Sequence, residues 1–160
     1  MKAELIAQYK AGLKMLADVV EKCPGSLWAN NEYESAYWRI AYHALFYTSF
    51  YLAGSPDVFI PWEKHRLNYN FMGPVAHDNQ PIVVTDIYTK AEILAYTETI
   101  ANSLESQVED TKYNELCGFN WVPLSRFGLH LYTIRHLQHH VGQLTERLHQ
   151  VGIKGVKWER

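Results

Sequence analysis

The chain predicts an all-α fold: a four-helix bundle with a long crossover between its second and third helices. Three observations carry that prediction. Four stretches repeat apolar residues at helical spacing, each is bounded by residues that start or stop helices, and residues 54–88 between the second and third keep no such period. With 160 residues, 48% apolar and 20% charged, the sequence is one domain's worth, read as a single unit 1–160 with enough apolar surface for a substantial core.

Helix one is predicted from Ala3 to Lys22, with Leu5, Ile6, Leu13, Leu16 and Val20 at helical spacing. Cys23-Pro24-Gly25 stops it, because proline cannot continue the hydrogen-bond ladder and glycine permits a left-handed cap. Helix two is expected after Asn30-Asn31, with Asn31 and Glu34 in cap-like spacing, and runs to Leu52 before Gly54-Ser55-Pro56. It is apolar nearly all the way round, the mark of a central, well-covered helix. Residues 54–88 contain Pro56, Pro61, Pro74 and Pro81. A connection this long is a lid or a crossover, and Phe59, Trp62, Tyr69 and Phe71 suggest that it packs onto the bundle.

Helix three opens with the capping box Thr89-Lys-Ala-Glu92, shows Ile93, Thr97, Ile100 and Leu104 on its inner face, and fades near Asp110. Tyr113 to Val122 reads as an irregular turn or short hairpin around Gly118. Helix four is predicted from Leu124 to Gln150, with the stripe Ile134, Leu137, Val141, Leu144, Leu148 and Val151, and Gly152 and Gly155 end it.

Charge and cysteine content remove several function classes. A formal net charge of −2 and the lack of a basic helix give no reason to expect a nucleic-acid partner. The apolar stretch Ala36 to Gly54 contains Arg39 and His43 and is better read as a buried helix than as a membrane span. Met1 to Lys10 has no uninterrupted apolar core, so no secretory signal is read there. Cys23 and Cys117 are the only cysteines and have no CxxC spacing, which argues against a disulfide framework or thiolate zinc site and fits a cytoplasmic protein. Neither has a neighbour that would make it a nucleophile.

Chemistry is concentrated in the histidines. There are eight, and five of them (His130, His136, His139, His140, His149) fall near the end. His136 and His140 are four residues apart, about one helical turn, so their imidazoles leave one face of helix four. That spacing lets one helix offer two nitrogens to one metal ion. On a wheel of about 100° per residue, taking Leu137 and Leu144 as inward, His140 points into the core, His136 lies at the edge of that face and His139 looks outward. The plain alternative is a polar edge with His140 a hydrogen-bonded core residue. Two core-facing imidazoles are costly unless satisfied, and a metal would satisfy them.

A third ligand must come from another helix. His43, near the middle of helix two, is the leading candidate, although a core histidine bonded to Tyr47 or to a backbone carbonyl is its alternative. His65 and His77 in the long connection are weaker candidates. No Asp or Glu lies in the body of helix two or in the His-rich part of helix four before Glu146, which argues against a carboxylate-rich di-iron site. Three imidazoles leave positions open, as at a catalytic metal that acidifies water or a thiol or polarises a carbonyl.

The ending His136-x-x-x-His140-x-Gly-Gln143, with His43 in the middle of helix two, resembles the His-x-x-x-His-Arg-Gly-Gln signature of the DinB-like superfamily. The likeness extends over the whole chain in length, helix number and the crossover after helix two. The resemblance implies a bundle of up-down-down-up topology, often dimeric, in which His43, His136 and His140 bind a divalent metal such as zinc or nickel. It also implies thiol-dependent chemistry of the transferase or isomerase kind, with a low-molecular-weight thiol as cofactor. Val141 stands where the signature has Arg, so a surface or dimer contact made by that Arg is missing, and the doubled His139-His140 leaves the register open.

Two functions are therefore expected. One is a metal-dependent enzyme of thiol-transferase or hydrolase type acting on a small molecule, in a pocket lined by Tyr47, aromatics of the 54–88 connection and Trp121, with Gln143 and Arg39 either supporting the ligands or lying on the helix surface. The other is a non-catalytic, stress-related bundle that binds a metal or ligand, its aromatic surplus of 11 Tyr and 5 Trp lining a pocket or a dimer face.

Overall fold

A computed structural model describes residues 1–109 and 112–160. The described residues form five α-helices and one 3-10 turn, with two isolated β-bridges and no extended strand. The helices are α1 (Lys2–Lys22), α2 (Gly25–Trp28), α3 (Tyr37–Leu52), α4 (Lys90–Glu109) and α5 (Arg126–Gln150). The end expected near Asp110 for helix three of the sequence lies outside the described residues.

The four long helices form the bundle. α1 packs on α4 and α5, α3 packs on the same two, and α1 and α3 face each other across the centre. Side-chain pairings give the directions. Lys10 bonds Glu105 and Lys90 reaches the Cys23 carbonyl, so α1 and α4 run antiparallel. Tyr9 meets His130 and Met15 meets Gln138, so α1 and α5 run parallel. Tyr51 lies on Tyr132 while Arg147 reaches the Ser35 carbonyl, so α5 and α3 are antiparallel. The chain thus runs up in α1, down in α3 and α4, and up in α5. Two consecutive helices in the same direction need a connection that returns along the bundle, which residues 53–89 supply.

Two boundaries depart from the sequence reading. Gly25 does not adopt a left-handed cap; it opens the one-turn helix α2, with Pro24 at its N-cap in extended backbone. α3 begins at Tyr37 with Ala36 as N-cap, six residues beyond Asn31. Residues 31–35 form a turn before it, and Asn30 accepts from the Glu32 backbone N–H there. The other signals hold. Thr89 and Glu92 bond reciprocally at the start of α4, and Ser125 Oγ accepts from Gly128 N at the start of α5. Gly54 and Gly152 close α3 and α5 with φ of +82°, a region that side chains avoid.

The aromatic surplus is mainly core. Tyr9, Tyr37, Tyr42, Tyr88 and Tyr96 are almost fully buried. Four of them spend their hydroxyls on partners: Tyr37 donates to the Val19 carbonyl at 3.0 Å, Tyr88 to the Lys64 carbonyl at 2.6 Å, Tyr42 meets His65 Nδ1 at 2.6 Å and Tyr9 meets His130 Nδ1 at 3.0 Å. Pairing the polar tip lets a large ring fill a core at little cost, and Tyr96, whose buried hydroxyl has no hydrogen-bond partner among the described residues, is the exception. Within the stripe on α5, Leu137, Val141, Leu144 and Leu148 are buried, whereas Val151 lies past the last turn and is exposed.

The 53–89 connection is strapped to the bundle, as its aromatics suggest. Phe59 and Trp62 pack on the core and Tyr69 is buried. Tyr69 Oη accepts the Thr85 and Asp86 backbone N–H groups, which folds the segment on itself. Residues 70–73 are held against α3 through three carbonyls. Asn70, Met72 and Gly73 accept from His43, Ser35 and Arg39 respectively. Among the described residues, no helix is long and apolar enough to cross a membrane.

Candidate metal centre

The helix wheel orders the late histidines correctly. His140 is buried, His136 is half-buried and His139 is exposed. This settles the register of the doubled pair, because one helical step of rotation separates core from solvent. His43 is the third member. α3 presents it to α5 at the level of His136 and His140, since the two antiparallel helices cross there.

The three rings converge on their Nε2 atoms. His43 Nε2 lies 3.1 Å from His136 Nε2, and His140 Nε2 lies 3.2 Å from the same atom. One nitrogen of each ring lies within 4.8 Å of those of the other two, the only such trio of His, Cys, Asp or Glu among the described residues. Two ligands of a tetrahedral zinc, each at about 2.0–2.1 Å, are themselves about 3.3–3.4 Å apart. The two observed spacings therefore suit two edges of one coordination shell, and the third pair lies within 4.8 Å.

Hydrogen bonding leaves the three rings suited to a cation. His43 Nδ1 faces the Asn70 carbonyl at 2.6 Å, and a carbonyl only accepts, so the proton of the neutral ring sits on Nδ1. His140 Nδ1 faces Gln143 Oε1 at 3.0 Å, with the same consequence. Both rings then turn a bare Nε2 lone pair toward His136. A single N–H on His136 Nε2 cannot point at both. One positive ion among three lone pairs satisfies all of them, and the outer bonds are those that orient metal-binding imidazoles. His136 Nδ1 is buried and has no hydrogen-bond partner among the described residues.

Electrostatics keep the rings in the metal-binding form. Burial pushes His136 down to about 3, helped by the neighbouring His140 and His43. Burial holds His43 down to about 4, against the Asn70 carbonyl, which favours the charged form. Burial also lowers His140, opposed by its bond to Gln143. All three imidazoles are neutral at physiological pH, as a metal ligand must be.

The other sequence candidates fall elsewhere. His65 is taken up by Tyr42, and His77 packs edge-on against Phe71 at the rim of the cavity described below. Arg39, expected to support the ligands, instead donates to the Gly73 carbonyl at 3.1 Å and makes no hydrogen bond to the three rings. Gln143 does support one. A backbone carbonyl was among the partners expected for His43, but sequence reasoning could not name Asn70 as its source, because a backbone oxygen carries no residue signature. Val141, where the resemblance implies Arg, is buried against the core, so this position offers neither a surface nor a dimer contact. Cys23 is buried, which drives its thiol up to about 11, and Cys117 donates to the Val122 carbonyl at 3.0 Å, so neither is poised for attack.

A cavity of about 530 Å³ opens beside the cluster, with His43 and His136 in its wall. Tyr47 and Trp121, both expected, line it together with Phe46, Phe50, Tyr51 and Tyr132; Phe71 is the crossover aromatic that reaches it. A second cavity, of about 340 Å³, lies between Ser49, Gly54 and Arg126 and touches none of the three histidines. The first is therefore where a small molecule could reach a metal-bound position. No protein-family model, no curated protein and no solved structure matches the chain.

Proposed function

We propose that this chain is a divalent-metal-dependent enzyme in which His43, His136 and His140 hold the ion and leave a position open toward the aromatic cavity. One observation carries the reading: the Nε2 atoms of His43 and His140 each lie at coordination-edge distance from His136 Nε2, and two of the rings are locked by their Nδ1 bonds with lone pairs inward. Zinc or nickel suits an all-imidazole donor set. Bound there, such an ion would acidify water or a thiol, or polarise a carbonyl. His43 and His140 are held in place by Asn70 and Gln143, and the surrounding rings keep bulk water off one side.

The reading extends to membership of the DinB-like superfamily. The His136-x-x-x-His140-x-Gly-Gln143 ending, the mid-helix His43 and the up-down-down-up course of the long helices support it. With it come a thiol-transferase or hydrolase reaction, a low-molecular-weight thiol cofactor and a homodimer as proposals.

The test is metal analysis of untagged protein, wild type and His140→Ala, after loading with zinc or nickel and exhaustive dialysis. A stoichiometric metal is expected in the wild type. In the variant it should be lost while the far-UV circular dichroism stays helical. A wild type that retains no metal after loading would overturn the reading.

A further inference from the structure

We propose that the cavity beside the three histidines takes a planar aromatic substrate, uncharged apart from the donor atom it offers to the metal. This rests on the metal reading above and adds the class of compound. The cavity contains no Lys, Arg, Asp or Glu in its lining. Away from the metal-facing end, an ionised group would be desolvated with no counter-charge among the lining side chains. Arg135 is exposed and sits over the Tyr132 ring at 5.4 Å, and it is not among the lining residues.

The walls are instead ring faces and edges. Phe46, Tyr47 and Phe50 come from one side of α3, while Tyr132 comes from α5 and Trp121 from the preceding turn. The Phe50 and Trp121 rings lie within 14° of parallel, with centroids 6.5 Å apart. Trp121 is 60% exposed at the mouth, where a large ring gains little from folding but offers a flat stacking surface. Tyr47 ties the wall to the ligands: its ring lies 4.7 Å from His43 and 5.7 Å from His136, and its hydroxyl accepts from Asn70 Nδ2 at 3.3 Å. A flat ring entering past Trp121 would therefore lie between aromatic faces with its substituent directed at the Nε2 cluster. A cavity of about 530 Å³ is within the range of small-molecule sites.

The probe is 2-naphthalenemethanol, with decahydro-2-naphthalenemethanol as a saturated partner, both bearing a primary aliphatic hydroxyl of similar acidity. Both are titrated against zinc-loaded wild type, metal-free wild type, Trp121→Ala and His140→Ala, by calorimetry and by tryptophan fluorescence. The aromatic alcohol should bind about tenfold more tightly than the saturated one, the size expected of favourable ring–ring contacts. Trp121→Ala should remove most of that ratio. His140→Ala should lower the affinity for both alcohols alike and keep the ratio. Equal binding of the two alcohols to the wild type, or an unchanged ratio in Trp121→Ala, overturns the proposal. The metal reading is scored separately by metal content, so the ratio in metal-free protein and in His140→Ala stands whether or not an ion binds.

Discussion

Gln143 shows how one side chain can tune the cluster without touching a ligand position. It accepts from His140 Nδ1, and so fixes the ring's orientation and the nitrogen that faces inward. Gln143→Leu keeps the helix and removes the acceptor. Metal affinity is predicted to fall by about 10- to 100-fold, measured by competition with a chromogenic chelator. An unchanged affinity would mean that packing alone orients His140. The same bond was within reach of sequence reasoning, because residues three apart on a helix are neighbours. The Asn70 carbonyl was not, since it depends on the path of a loop backbone. Arg39 had two readings, a support for the ligands or a surface residue, and the structure gives it neither: it is buried and its guanidinium donates to the Gly73 carbonyl.

At the scale of elements, α5 carries two of the three ligands, so its start matters. Ser125→Ala removes the cap that receives Gly128 N–H and is predicted to destabilise the protein by about 1 kcal/mol in urea melts. The turn before α5 is set by a closer contact. A Cβ on Gly118 would lie 2.3 Å from Ser55 Cβ and 2.9 Å from the Gly54 carbonyl oxygen. Gly118→Ala should therefore destabilise by about 1–3 kcal/mol, with the 116–125 turn pushed from the end of α3. Because that turn carries Trp121, its fluorescence should change in the folded variant; wild-type stability and spectrum would show that the turn yields freely. The sequence marked Gly118 as the centre of a turn, yet nothing in it names Ser55 as the neighbour. Helix starts show the same division. The capping box at Thr89 was readable because all its atoms lie within four residues. The start of α3 was misplaced because the Asn31–Glu34 spacing falls in a turn, and the helix starts beyond it at Ala36, which has no side-chain cap to read.

For the whole molecule, buried histidines link folding to pH. Burial holds His130, like His43, down to about 4, and His136 down to about 3, against about 6.5 in an unfolded chain. The unfolded state therefore binds protons first. Above about pH 6.5 neither state is charged at these rings and their neutral burial has no penalty; as pH falls from there toward about 4, unfolding is progressively favoured. Metal-free protein in a chelating buffer should melt at steadily lower temperature between pH 7 and pH 4.5, and replacing His130 with Gln should flatten part of that slope. A melting temperature independent of pH over that window would contradict the burial of neutral rings.

The sequence alone determined the faces of the helices. Period and wheel set His140 inward and His139 outward, and the apolar stripes set four long helices with a crossover, because a helix fixes the direction of each side chain relative to its neighbours. Only the tertiary structure decided that His43 meets the pair on α5. α3 is apolar on nearly every side, so its own pattern holds no preferred direction, and its rotation is fixed by packing against α4 and α5 and by the 70–73 segment strapped across it. The cavity likewise belongs to no single segment: α3, α5, the crossover and the turn at Trp121 each supply a wall, and only their packing encloses a space beside the histidines.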